Sequence, residues 1–184
     1  MHPQRLAQAV SRLYRRLDLD TGRFQLRSGL RCLPACGRCC LSPDVEATVL
    51  EMLPAALHLA QGGRLESCLD RLARQPEARV CALYRGDPPA AAPGHCGQYA
   101  HRPLVCRLFG FSAVLDRDGR REMIGCRLIR EDQGEAAARA GEEVRGGAVA
   151  IPVAGEYRMQ LYGIDPTLGS RPLPVNAALA QALE

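Results

Sequence analysis

The chain of 184 residues has room for one domain with a sizeable core and is too short for two comfortable ones. Its 47% hydrophobic and 24% charged residues exclude a disordered or collagen-like chain. Twenty-four basic against 20 acidic side chains leave a net charge of +4 and every basic one is arginine, which excludes lysine-nucleophile chemistry; with no Trp to stack on bases, no nucleic acid partner is predicted.

Residues 4–17 place Leu6, Val10, Leu13, Tyr14 and Leu17 at helical spacing and predict an amphipathic helix. The polar, glycine-bearing stretch 18–31 reads as a loop or short extended piece leading into CLPACGRCC, and the first cysteines are expected in a loop. Ser42, Pro43 and Asp44 look like a helix start, and the helix they begin should be kinked or divided by Pro54 before Gly62 and Gly63. Residues 65–72 repeat at three and four positions and set Cys68 among Leu65, Leu69 and Leu72, which predicts a core cysteine. Residues 79–84 suit a short strand, and 85–94, rich in proline and glycine, an exposed connection.

Beyond Cys106, apolar arms around Asp118-Gly119 predict a hairpin; Asp116 and Asp118 start like a calcium loop, but the remaining ligands are absent. Residues 130–143 read as a solvated helix, and 152–162 and 175–183 as two more. No apolar run reaches the roughly 20 residues of a membrane span and no signal peptide opens the chain, so no membrane partner and a cytoplasmic location are expected. The predicted fold is mainly α with a small β component: a single compact domain over 1–184 whose metal-binding cysteine-rich loops lie at about 32–126, with N- and C-terminal helical extensions.

Nine cysteines are too few for a disulfide scaffold, and without an export signal they point to metal. Cys32, Cys36, Cys39 and Cys40 fall within nine residues, and Cys36 and Cys39 have the separation of a zinc knuckle, in which Gly37 lets the backbone turn. Sulfur ligation suits zinc, iron–sulfur or copper(I), and the same spacing also suits a redox dithiol of Cys36 and Cys39. Cys39 and Cys40 are neighbours whose side chains should diverge toward different centres. Setting Cys68 aside leaves eight thiols, arithmetically two four-sulfur sites, and a single site with the other cysteines buried is also open.

The segments CGRCC, Cys81 and CGQYAHRPLVCR together resemble a bacterial cysteine-cluster family with the signature C-x2-C-x2-C-C, described as a zinc- or iron-chelating domain. The later part of that pattern is matched by Cys96, Tyr99, Arg102, Pro103, Cys106 and Arg107. Three residues separate Cys32 from Cys36 where the family has two, which moves Cys32 to a secondary place. The resemblance implies metal chelation and names no reaction.

The expected ligands are Cys36, Cys39, Cys40, Cys96 and Cys106, with Cys32, Cys81 and Cys126 secondary, holding zinc or iron in one or two centres. Pro103 pushes Arg102 toward an extended backbone that aims Cys106 at the first cluster; Tyr99 could pack over the metal, and Arg102 and Arg107 could offset thiolate charge. His95 and His101 read as exposed loop residues, His58 as a satisfied helical histidine and His2 as part of a frayed end. The metal then either holds structural loops or is cargo of a metal-handling protein; the alternative is an iron–sulfur or iron-dependent redox protein or enzyme. No serine-hydrolase, nucleotide-binding or helical zinc-protease motif is present.

Overall fold

A computed structural model describes residues 2–74, 79–86 and 94–184, and it is 60% helical with a few short antiparallel strands, the fold class expected. In chain order come α1 (Pro3–Ser28), a 3-10 turn (Arg38–Leu41), β1 (Glu46–Ala47), α2 (Val49–Gln61) and α3 (Leu65–Arg74). Then follow β2 (Tyr84–Arg85), β3 (His95–Cys96), a second 3-10 turn (Tyr99–His101), α4 (Leu104–Leu108), β4 (Ser112–Leu115) and β5 (Arg121–Ile124). The chain ends with α5 (Arg127–Asp132), α6 (Gly134–Arg145), α7 (Ala154–Ile164), α8 (Pro166–Gly169), β6 (Leu173–Pro174) and α9 (Val175–Leu183). The strands pair only in twos, β1 with β6, β2 with β3 and β4 with β5. Among the described residues no helix is long and apolar enough to cross a membrane.

Two compact units share the chain, one built from Met1–Arg12, Ala35–Cys106 and Leu161–Glu184, the other from Leu13–Pro34 and Arg107–Gln160. Both are discontinuous in sequence. In the first, Met52, Ala55, Ala56 and Leu59 of α2 pack on Val175, Ala178, Leu179 and Leu183 of α9, and Cys68 is buried in the same cluster, as expected. The alanines let the helices approach, and fully burying a side chain such as Leu179 contributes about 1.5–3 kcal/mol.

The helix expected to start at Ser42 starts instead after Thr48, because Thr48 and Glu51 form a capping box that satisfies the first free N–H groups from both sides. Pro54 does not divide it. The lost bond to the Leu50 carbonyl is offset by the burial of Pro54 together with Leu50, Met52, Leu53, Ala55, Ala56 and Leu59. The predicted strand 79–84 shrinks to Tyr84–Arg85, with 82–83 in a turn. The expected exposed connection 85–94 lies largely outside the described residues.

In the second unit the polar stretch read as a loop is helix to Ser28, where Gly29 ends it with φ +75°. Leu17, Thr21, Phe24 and Ser28 are buried at helical spacing, and the acids between them have partners. Asp18 accepts from the buried Arg107 guanidinium at 2.6 Å, and Asp20 accepts from the Tyr157 hydroxyl at 2.5 Å. Burial first, and the Asp20 carboxylate second, push the Tyr157 phenol up and keep it protonated. The helix expected to be solvated breaks at Gln133, and α6 buries Ala137, Ala140 and Val144 against Phe24, Phe111 and Ile151. The hairpin forms as predicted: the Asp116 carboxylate accepts from the backbone N–H groups of Asp118 and Arg120, and Gly119 supplies the left-handed turn residue.

Candidate metal centre

Three segments far apart in sequence meet in the first unit through their backbones. The 3-10 turn closes when the Cys40 N–H donates to the Gly37 carbonyl at 2.9 Å, and the Cys40 carbonyl accepts from the Cys81 N–H at 2.8 Å. The Cys81 carbonyl accepts from the Tyr84 N–H, Tyr84 stands opposite Cys96 in the β2–β3 ladder, and the Gly97 N–H donates to the Leu83 carbonyl. Tyr84 is buried where these segments cross, and its hydroxyl accepts from the Gly94 N–H at 3.1 Å. Small residues are required around it. A Cβ on Gly37 would stand 2.4 Å from the Gly94 carbonyl oxygen, and one on Gly94 would stand 2.2 Å from the Tyr84 hydroxyl.

Two further residues, absent from any cysteine pattern, position the segments. Asn176, at the start of α9, accepts from the Ala82 N–H at 2.8 Å and donates to the Val80 carbonyl at 3.0 Å, so it brackets Cys81. Glu51, buried in α2, accepts from the Val105 N–H at 3.1 Å and thereby anchors the first turn of the helix that carries Cys106. A T-x-x-E pattern ahead of an apolar run was the available signal for Glu51; a lone Asn at a helix start gave none. Asn176→Ala should lose about 2 kcal/mol in a urea melt, roughly 1 kcal/mol for each hydrogen bond. An unchanged midpoint would show that 80–82 is held by other contacts.

The thiols follow the backbones. Cys40, 7% exposed, lies within side-chain hydrogen-bonding reach of Cys39, Cys81 and Cys96. Those neighbours, with burial, push the Cys40 thiol far up. Its partners move the other way. The hydrogen bond from Cys40 is the main cause that lowers Cys39 to about 6, helped by the backbone N–H groups of residues 39 and 40 and by the Arg102 charge. Cys96 is lowered to about 7 by Cys40, by the Gln98 N–H and by Arg102, and Cys81 is lowered by Cys40 and the Leu83 N–H, both against the opposing effect of burial. Backbone N–H groups two residues beyond a cysteine and aimed at its sulfur favour the thiolate, the form that binds metal.

Cys106 on α4 is close enough to feel the charges of Cys39, Cys81 and Cys96, yet burial above all, with those charges and Glu51, pushes its thiol up. Cys36 stands half-buried just before the 3-10 turn. Cys32 and Cys126 belong to the second unit: Cys32 is exposed beyond Arg31, whose backbone the Gln133 amide grips from both sides, and Cys126 precedes α5. No disulfide joins any of the nine cysteines. Cys81, a secondary candidate in the sequence, thus joins Cys39, Cys40 and Cys96 in direct contact. The divergence expected of Cys39 and Cys40 is not found, because the 3-10 turn lets both sulfurs reach one cluster.

Neighbouring charges also differ from expectation in part. Arg102 has the extended backbone that Pro103 dictates, with φ −58° and ψ 146°, and its guanidinium lies 3.9 Å over the Tyr99 ring, from where it acts on Cys39 and Cys96. Tyr99 therefore serves as a platform for Arg102 and is itself 58% exposed. Arg107 is engaged by Asp18 and the Tyr14 ring in the second unit. His101, expected in solvent, stacks on His58 with ring centroids 4.2 Å apart, whereas His95 is exposed as expected.

Among the described residues no three His, Cys, Asp or Glu side chains stand ready-made as a metal cage. Ligation requires the thiols to give up their protons. The donor chemistry of the cluster fits zinc or iron: soft sulfurs, backbone N–H groups directed at three of them, and a guanidinium alongside. Comparison with curated proteins finds no match, and comparison with solved structures finds none. The family model named CxxCxxCC, described as a "putative zinc- or iron-chelating domain", matches residues 31–136, which is more than half of the chain and contains every cysteine, and the chain belongs to that family.

Proposed function

We propose that the protein holds one zinc or iron ion on Cys39, Cys40, Cys81 and Cys96, and that the ion joins the 3-10 turn to the segments around residues 81 and 96. The observation that carries this reading is that one thiol, Cys40, lies within hydrogen-bonding reach of three others drawn from all three segments. When bound, the ion supplies a crosslink between segments that among themselves form only two-residue strands. The chain's own residues do the rest. Arg102 offsets the excess negative charge of four thiolates, Leu83 and Gln98 direct their N–H groups at sulfur, and Glu51 keeps α4 docked beside the cluster. Cys106 feels the charges of Cys39, Cys81 and Cys96 but is not among the thiols within hydrogen-bonding reach of Cys40, and it stays outside the ligand set. Free thiols of this kind persist in a reducing compartment, and the cytoplasm is the location we propose.

Elemental analysis of protein purified without oxygen tests this. One equivalent of metal per chain is expected, colourless if zinc and coloured by sulfur-to-metal charge transfer if iron. Failure of both metals to bind on reconstitution would refute the proposal, and two equivalents per chain would refute a single centre.

A further inference from the structure

Beside β2 and β3, within the first unit, lies a cavity of about 170 Å³ that the thiol cluster does not use. Three arginines line it from three elements: Arg64 just before α3, Arg71 on α3 and Arg85 on β2. Ser67, Cys68 and the buried amide of Gln98 line it too. The acids of α3, Glu66 and Asp70, are not in its wall, and none of the three guanidiniums forms an ion pair among the described residues.

The arginines are held in place. Arg71 donates to the carbonyl oxygens of Ala82 at 3.2 Å and Tyr84 at 3.4 Å. With its amide oxygen turned toward Arg64, Gln98 accepts from both terminal nitrogens of that guanidinium at 3.3 Å. The stem of Arg85 lies across Gly97, where a Cβ would come within 2.7 Å of its Cγ. Three positive, fork-shaped donors around one concavity with no carboxylate in its wall suit a ligand that brings the negative charge and several acceptor oxygens.

We propose that this cavity binds a small oxyanion, a phosphate or carboxylate group of a small molecule, between the guanidiniums of Arg64, Arg71 and Arg85. The proposal does not rest on the metal reading, since none of Cys39, Cys40, Cys81 and Cys96 is in the cavity wall. Some guanidinium donors are already spent on backbone carbonyls, so the ligand is held by the donors that remain and by the summed charge. Inorganic phosphate and malonate are the two probes that separate the sources.

The test is calorimetric titration of the full chain with each probe at fixed ionic strength, followed by Arg85→Gln, Arg71→Gln and, as a control on exposed α1, Arg23→Gln. Saturable binding of at least one probe is expected, weakened about tenfold or more by Arg85→Gln and Arg71→Gln and untouched by Arg23→Gln. Preference for phosphate or for malonate then assigns the chemical class. Metal content measured on the same samples should not change in Arg85→Gln, which separates loss of the anion from loss of the thiol centre. The proposal is overturned if neither probe saturates, if Arg85→Gln binds as the parent does, or if Arg23→Gln weakens binding equally.

Discussion

Cys40→Ala should lower metal affinity by more than about 100-fold in competition with a chromophoric chelator. A structural zinc site contributes about 10–16 kcal/mol over four ligands, so one ligand is worth about 3 kcal/mol or somewhat more. Cys40 is the ligand with least chance of replacement, because it is the thiol the other three share and its backbone carbonyl is tied to the Cys81 N–H. No water can take the place of a sulfur that is 7% exposed without opening the turn. Two controls sharpen the result. Cys68→Ala should keep its metal while losing about 1–2 kcal/mol of stability, since the thiol is packed among Leu59, Leu83 and Leu179. Cys106→Ala should also keep its metal, because Cys106 is not among the thiols within hydrogen-bonding reach of Cys40. Equal loss of metal in the Cys68 variant would mean that the sulfur set has been drawn wrongly.

The helical framework was legible where apolar spacing was undisturbed. Val175, Ala178, Leu179 and Leu183 mark α9 because its whole buried face points into a single cluster. The second half of α1 was not legible, since Asp18, Asp20 and Thr21 look like loop residues until Arg107 and Tyr157, some 90 and 137 positions on, are seen to receive them. Pattern reading assigns partners only within a few residues, and tertiary contacts override local propensity. The same limit applies to the thiols. CGRCC announces itself through density, whereas Cys81 stands alone in RVCALY and enters the cluster through a backbone bond to Cys40 and the bracket made by Asn176. The family pattern holds Cys81, Cys96 and Arg102 at recognisable places, but which sulfurs touch depends on how the 3-10 turn lies against Tyr84.

Gly37→Ala should cost about 3 kcal/mol and lower the melting temperature by roughly 6–12 °C, with metal affinity falling at least about tenfold. Glycine in CGRCC suggests a need for an unusual backbone angle, yet Gly37 has φ −109°, which any residue adopts. The requirement is space. A methyl group there would meet the Gly94 carbonyl oxygen at 2.4 Å and the Tyr84 ring at 2.7 Å, and the first of these is backbone that cannot rotate away. Either the 3-10 turn lifts off, taking Cys39 and Cys40 with it, or residues 94–96 shift and carry Cys96 out of reach. The left-handed residue in this stretch is Ala35, with φ +52°. Ala35→Gly should therefore raise stability by up to about 1 kcal/mol, because glycine relieves the Cβ strain at a smaller cost in chain entropy. Opposite signs from two substitutions two residues apart would establish that the turn is packed against Tyr84 and Gly94. If Gly37→Ala melts and chelates like the parent, the 3-10 turn does not rest there, and the contact between Cys40 and Cys96 falls with it.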